Sequence, residues 1–159
     1  MAGRTGVVIG GVDTHARTHQ AAAIDATGRI LGNAEFESSA RGYRKLVSWL
    51  RGHGAIVAVG VEGTGSWGAG LCRHLLDEGL RVIEVDRPDR KARRTKGKSD
   101  PIDAESAARA VLAGTATTTP KDRRGVVESI RVLRIARSGA VKARTAAVNA
   151  FQDDRSDRA

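Results

Sequence analysis

The order of the short apolar segments constrains the fold of this chain more than any other sequence feature. Three such segments, 7–12, 19–25 and 29–37, follow one another with only short turns between them, which predicts an antiparallel β-meander. Helical and strand patterns then alternate as far as about residue 113, and this alternation favours parallel strands. We therefore predict an α/β fold in which a five-stranded mixed sheet is flanked by helices.

Local signals set the expected bounds of the later elements. Ser39 is a typical helix N-cap residue, and apolar residues spaced i, i+3, i+4 and i+7 predict a helix over 40–53. The other predicted elements are a strand at 55–61, a helix at 64–78, a strand at 80–85, a helix from 99 to about 113 and a long helix at 126–150. We expect one domain over 1–114, a threonine-rich linker at 115–125 and an irregular tail at 151–159.

The charge balance favours a polyanionic partner. The 159 residues include 27 Lys and Arg against 18 Asp and Glu, a formal net charge of +9 at pH 7, and nucleic acid is the first partner expected for such a chain. The basic residues are concentrated at 87–98 and along one edge of the long helix. The candidate nucleic-acid-binding residues are Arg87, Arg90, Lys91, Arg93, Arg94, Lys96, Lys98, Arg131, Arg134 and Arg137.

Composition also excludes several classes of protein. A single cysteine, Cys72, excludes a disulfide framework and a zinc site built from thiolates. Five aromatic residues are too few for a base-stacking platform of the single-strand-binding kind. No apolar run approaches the ~18 residues of a membrane span, and no signal-peptide pattern opens the chain. We therefore expect no membrane partner and a cytoplasmic location.

Four carboxylates occupy positions that suit a metal site. Two predicted buried strands end in an acid, Asp13 and Glu62, and the carboxyl ends of parallel neighbours meet at one edge of a sheet. Asp100 and Asp103 follow the basic segment at a spacing that places both on one helix face. Such oxygen donors suit Mg²⁺, and four of them could hold two ions for phosphoryl transfer. Individually, the same acids could be turn or helix-capping residues. His15 is near enough to Asp13 to support its carboxylate.

A glycine-rich segment offers an alternative function. Residues 63–68 have the sequence GTGSWG, which matches the G-x-G-x-x-G pattern of dinucleotide-binding turns, and Asp86 ends the next strand. The segment follows a meander instead of opening a first βαβ unit, and too little chain follows Asp86 for the second half of such a domain. A dinucleotide-binding domain therefore stays an alternative, and close strand-to-helix packing is the simpler role for these glycines.

Three segments together resemble a known family. Residues 11–15 are GVDTH, residues 61–65 are VEGTG and residues 96–104 are KGKSDPIDA. In this order, over about residues 7–150, they resemble the N-terminal domain of the DEDD transposases of the insertion-sequence-110 type, a group that includes the Piv-type DNA invertases. The resemblance implies a RuvC-like, RNase H-like fold, followed by a helix that begins a coiled-coil segment. It also implies that Mg²⁺, with Mn²⁺ as an alternative, is bound by Asp13, Glu62, Asp100 and Asp103.

The same resemblance sets the functional hypothesis. It implies DNA strand cleavage and transfer, guided by a structured RNA and completed by a C-terminal domain that supplies a serine nucleophile. We expect this chain to lack that domain, to be incomplete in strand exchange by itself, and to self-associate through the small apolar stripe of its last helix. A non-catalytic nucleic-acid-binding remnant of the same fold is the second hypothesis, and metal-dependent nicking of DNA separates the two.

Overall fold

The computed structural model describes residues 6–86, 100–121 and 125–156. The strands in this part of the chain are β1 (Val7–Thr14), β2 (Thr18–Ile24), β3 (Ile30–Glu37), β4 (Ala55–Glu62) and β5 (Val82–Val85). The helices in the same part are α1 (Ala40–His53), α2 (Ala69–Asp77), α3 (Asp100–Leu112) and α4 (Val126–Ser156).

The five strands form one sheet in the order β3-β2-β1-β4-β5. β1 pairs antiparallel with β2, and β2 pairs antiparallel with β3. β4 is parallel both to β1 and to β5. The predicted mixed sheet is confirmed, and β1 is its central strand.

α1 and α2 cover one face of the sheet. α1 begins where predicted, because the Oγ of Ser39 accepts a hydrogen bond from the backbone N–H of Gly42 at 3.1 Å. Leu46 and Leu50 of α1 are fully buried in one cluster with Val12 and other sheet residues. Full burial of a leucine stabilises a fold by about 1.5–3 kcal/mol, so this layer supplies much of the core.

α3 packs closely against the opposite face of the sheet. The buried residues Ala104, Ala107 and Ala108 give the helix a small contact surface, and it lies over two glycines. A Cβ on Gly11 would overlap the carbonyl oxygen of Ala104, and a Cβ on Gly60 would lie 2.9 Å from the carbonyl oxygen of Ala107. The absence of side chains at these two glycines therefore allows α3 to approach β1 and β4 closely.

The predicted start of α2 at residue 64 is wrong, because a tight turn precedes the helix. Gly63 has a φ of +64°, a conformation that favours glycine. Its carbonyl oxygen accepts backbone hydrogen bonds from Ser66 at 2.8 Å and from Gly68 at 3.1 Å. These bonds close a turn over 63–68, and the helix begins only at Ala69.

The sheet unit extends further along the chain than the predicted domain end at residue 114. The backbone N–H of Glu84 in β5 donates to the carbonyl of Thr118 at 2.7 Å. This bridge adds residues after α3 to the edge of the sheet, and the compact unit ends at Pro120. The boundary between the two compact units therefore falls inside the expected linker, with 115–120 in the first unit and 121–125 in the second.

α4 belongs to the second compact unit, Lys121–Ala159. The helix continues to Ser156, so the predicted irregular tail is wrong for residues 151–156. This segment, FQDDRS, contains neither glycine nor proline, so nothing in it interrupts the backbone hydrogen bonds of the helix.

Several apolar side chains of α4 are exposed, among them Val127 and Leu133. None of the helices in the described ranges is both long and apolar enough for a membrane span.

Candidate active site

Asp13 lies at the carboxyl end of the central strand, on the face covered by α3. Side chains alternate between the two faces of a strand. Ile9 packs with Ala108 of α3 and Gly11 lies directly under that helix, so Asp13 is on the same face. Its side chain is buried, with 2% of the residue exposed.

Glu62 ends the neighbouring strand on the same face. β4 pairs in parallel with β1 up to the residue before Glu62, so Asp13 and Glu62 leave adjacent strands at one edge. Gly60, two residues earlier, lies under α3, which places Glu62 on the α3 face as well. The residue is 1% exposed. The hydroxyl of Thr14 donates to the Glu62 backbone carbonyl at 2.8 Å and thereby ties the two strand ends together.

Electrostatics makes this arrangement costly without a compensating charge. Neighbouring strands are about 4.8 Å apart, and two ionised carboxylates at such a spacing in a buried site repel each other. Nε2 of His15 lies 3.0 Å from Oδ2 of Asp13, which confirms the predicted proximity of His15 to this carboxylate. The His15 side chain is 40% exposed, so it connects the buried acid with the surface.

The direction of α3 is set by contacts at its two ends. Near the start of the helix, Ala104 lies against Gly11 in the second half of β1. Near its end, Nη1 of Arg109 donates to the carbonyl of Gly28 at 2.9 Å, in the turn between β2 and β3. The first turn of α3 therefore lies at the edge where β1 and β4 end.

This first turn carries the other two predicted acids. Asp103 is half-buried and directly precedes Ala104, the residue in contact with the sheet. The structure thus brings Asp103 to the same edge as Asp13 and Glu62. Asp100 is the first residue of α3, and its side chain lies outside the part of the chain that the structure describes.

The chemistry of these donors fits a divalent metal ion. Carboxylate oxygens on rigid elements are the ligands that Mg²⁺ and similar hard ions prefer, and buried acids gain most from a positive charge. Among the residues that the structure describes, no three His, Cys, Asp or Glu side chains are close enough together to hold a metal. The described part of the site supplies two adjacent buried carboxylates, with Asp103 nearby on α3.

The predicted nucleic-acid-binding residues fall in two places. Those of the basic segment, Arg87, Arg90, Lys91, Arg93, Arg94, Lys96 and Lys98, lie outside the described residues. Arg131, Arg134 and Arg137 are exposed on α4 at a spacing of three residues. Nε and Nη2 of Arg131 donate to the carboxylate of Glu128 at 2.8 and 2.6 Å. This side-chain hydrogen bonding raises the pKa of Arg131.

Two polar residues beside the acids were not predicted from the sequence. Thr14 joins the strand ends, and Gln20 lies opposite Asp13 on β2. The two-residue alternation of β2 could have placed Gln20 on the α3 face, but only strand register shows which residue it faces. Trp67 lies in the glycine-rich turn that follows Glu62, and 57% of its surface is exposed to solvent.

Comparison with known families identifies the chain. A family model described as a transposase matches residues 10–153. The chain belongs to the DEDD transposases of the insertion-sequence-110 type. The match confirms the resemblance seen in the three sequence segments, and it decides against the dinucleotide-binding alternative for residues 63–68. No curated protein matches the sequence of this transposase domain.

Solved structures similar to the transposase domain are Holliday junction resolvases. T. thermophilus RuvC, in complex with a Holliday junction substrate, is 14% identical with a TM-score of 0.50, over 70% of this chain and 98% of that chain. The fowlpox virus Holliday junction resolvase is 11% identical with a TM-score of 0.48, over 68% of this chain and 98% of that chain. The likeness to RuvC confirms the predicted RuvC-like, RNase H-like fold. DEDD nucleases with this fold generally use divalent metal ions.

Proposed function

We propose that this transposase domain cleaves and transfers DNA strands with divalent metal ions held by Asp13, Glu62, Asp100 and Asp103. The observation that supports the proposal is the burial of Asp13 and Glu62 side by side, 2% and 1% exposed, below the first turn of α3. The oxygen donors favour Mg²⁺, with Mn²⁺ as an alternative.

The protein's contribution is to hold these oxygens in place. A divalent ion at this site would activate the attacking group and stabilise charge on the leaving oxygen. His15 orients Asp13 through the 3.0 Å contact with Oδ2, and Thr14 holds the end of β4 against β1. Because both acids are on strands of the sheet, their donor atoms are positioned before the substrate binds.

Duplex or branched DNA is the proposed substrate. The similar RuvC structure contains a Holliday junction substrate, and a net charge of +9 complements DNA phosphates. The proposed contacts are the basic segment 87–98 and the exposed arginines Arg131, Arg134 and Arg137. A structured guide RNA and a second copy bound through α4 are further proposed partners. The exposed apolar side chains of α4, such as Leu133, support the second of these.

A thermal shift with Mn²⁺ tests the metal site. At ten times the dissociation constant, a bound ion stabilises the fold by about 1.4 kcal/mol, which raises the Tm by about 3–6 °C in a chain of this size. The variant Asp13→Asn removes one carboxylate ligand. It should therefore lose the Mn²⁺-dependent shift.

Glu78→Gln is the matched control for that experiment. Glu78 forms a surface ion pair with Arg51 at 3.0 Å, remote from the strand ends, so its variant should keep the full shift. Nicking of a supercoiled plasmid with Mg²⁺, and its loss in Glu62→Gln, then separates the enzyme from a non-catalytic remnant. Equal Tm values with and without metal, for wild type and Asp13→Asn alike, would refute the metal site.

A further inference from the structure

Gln20 of β2 lies in the same row of the sheet as the candidate metal-binding acids. In the antiparallel pairing, Asp13 is directly opposite Gln20, and Gln20 is directly opposite Glu35 of β3. Residues directly opposite each other project from the same face of a sheet. Gln20 and Glu35 therefore share the α3 face with Asp13, and Gln20 stands between the other two.

The hydrogen bond to Glu35 fixes the orientation of the Gln20 amide. Nε2 of Gln20 donates to Oε2 of Glu35 at 2.6 Å. An ionised carboxylate can only accept hydrogen bonds, so the NH₂ group and not the oxygen must face Glu35. Oε1 is therefore the amide atom that does not face Glu35, and Asp13 lies on the other side of Gln20 in this row of the sheet.

This orientation allows the neutral oxygen of the amide to face Asp13, which is directly opposite on β1. Directly opposite side chains on paired strands have Cβ atoms about 4.5–5.5 Å apart. An amide oxygen and a carboxylate are both acceptors, so the pair is favourable only when a hydrogen-bond donor or a cation lies between them. Gln20 is half-buried, which strengthens the preference relative to open water.

We propose that Gln20 is a positioning residue of the metal site, and that Oε1 accepts a hydrogen bond from the hydration shell of the ion bound by Asp13. This inference rests on the proposed function. Mg²⁺ and Mn²⁺ keep several water ligands in sites built from few carboxylates, and outer hydrogen-bond partners of this kind change metal affinity by about 10–100-fold. Glu35 acts on the ion only through the amide that it orients.

A purely structural role for Gln20 makes a different prediction. A cross-strand pair with Glu35 would contribute about 0.2–1 kcal/mol to the stability of the sheet and nothing to metal affinity. The two roles therefore predict different metal affinities for a variant of Gln20. This affinity is measured without DNA and without turnover.

The experiment is calorimetric titration of the full chain with Mn²⁺ alone, near pH 7.5. Gln20→Met keeps the length of the side chain and removes the amide oxygen. We expect Mn²⁺ affinity to fall about 10–100-fold, while the Tm without metal changes little. The exchange of Gln20→Glu with Glu35→Gln keeps an amide–carboxylate pair and places a charged acceptor beside Asp13, so it should bind Mn²⁺ more tightly than the wild type.

The outcomes distinguish this inference from the proposed function. If the wild type binds Mn²⁺ and Gln20→Met binds it equally well, the role of Gln20 is refuted and the metal site stands. If the wild type itself binds no Mn²⁺, the metal site and the role of Gln20 are both refuted. If Gln20→Met does not fold, the exchange variant decides: a Mn²⁺ affinity above that of the wild type supports the inference, and an equal or lower affinity in a folded exchange variant refutes it.

Discussion

His19 shows how a single polar residue is accommodated beside the site. It lies opposite Thr14 in the sheet and is completely buried. Its ring stacks on Tyr43 at a centroid distance of 5.7 Å and an angle of 5°, and Nδ1 lies 3.1 Å from the carbonyl oxygen of Thr18. Burial, opposed by that backbone contact and assisted by the nearby His15, lowers the pKa of His19. The neutral ring is thus the form that the fold favours.

The lowered pKa of His19 predicts that acid destabilises the protein. Above the ordinary histidine pKa of about 6.5, the ring is neutral both in the folded and in the unfolded chain. As the pH falls below that value, the unfolded chain binds the proton first, so stability decreases until the folded-state pKa is passed. Urea unfolding at pH 7.5, 6.5 and 5.5 should show a steeper loss for the wild type than for His19→Gln. Parallel losses in the two proteins would contradict this assignment, because the other histidines are present in both.

At the scale of elements, α3 is the part that assembles the site. Its position depends on small residues, because Gly11 and Gly60 lie under the helix where a Cβ would meet its backbone. A hydrogen bond of 2.8 Å from Asn33 of β3 to Glu105 fastens the helix laterally. The distance of Asp103 from the strand-end acids is therefore set by glycine contacts and one cross-element hydrogen bond.

Gly11→Ala should displace α3 and weaken the site. The new methyl group would overlap the backbone of Ala104 and Ala108, so the helix must move. Overpacking of this kind costs about 1–3 kcal/mol of stability, and a shift of about 1 Å at a reactive centre costs up to about 100-fold in rate. We expect a folded variant with a lower Tm, and DNA nicking reduced by at least about tenfold.

Gly52→Ala is the matched control for this variant. Gly52 is in α1, and a Cβ there would meet nothing within 4 Å. Replacing a helical glycine by alanine stabilises a protein by about 0.5–1 kcal/mol, and nicking should stay at the wild-type rate. Full activity in Gly11→Ala would show that the position of α3 does not control the site.

At the scale of the whole molecule, the excess of positive charge is distributed unevenly. Residues 87–98 contain seven basic residues and residues 121–144 contain eight, against one and two acids. Exposed charges of one sign attract DNA at long range, and each phosphate that is contacted releases counterions. The ion pair of Arg131 with Glu128 already neutralises part of this charge on α4.

DNA binding should therefore depend steeply on salt, and unequally on the arginines of α4. If about half of the basic residues in the two segments contact phosphates, a log–log plot of affinity against salt has a slope of about −6. Arg134→Gln combined with Arg137→Gln should change that slope to about −4. Arg131→Gln should change it less, because Glu128 holds the guanidinium. Fluorescence anisotropy of labelled duplex DNA measures both, and a wild-type slope near zero would contradict the proposed DNA contacts.

The sequence alone determined the features that depend on local signals. The order of strands and helices followed from apolar periodicity, the start of α1 followed from Ser39, and the family followed from three short segments. Strand-terminal Asp13 and Glu62 were predicted as neighbours because parallel strands end at a common edge. Where local signals were weak, predictions failed. The hydrogen bonds to the Gly63 carbonyl form a turn, so α2 begins later than predicted. Residues 151–156 are compatible with a helix, so α4 ends later than predicted.

Only the tertiary structure decided what depends on register and close packing. Strand register placed Gln20 beside Asp13 and oriented its amide through Glu35, and no local pattern encodes which residue lies across a strand. The close approach of α3 to β1 likewise depends on residues that are distant in sequence. Gly11 and Ala104, which meet at this contact, are 93 residues apart. Such contacts arise when the chain folds back on itself, because side chains distant in sequence then compete for the same space.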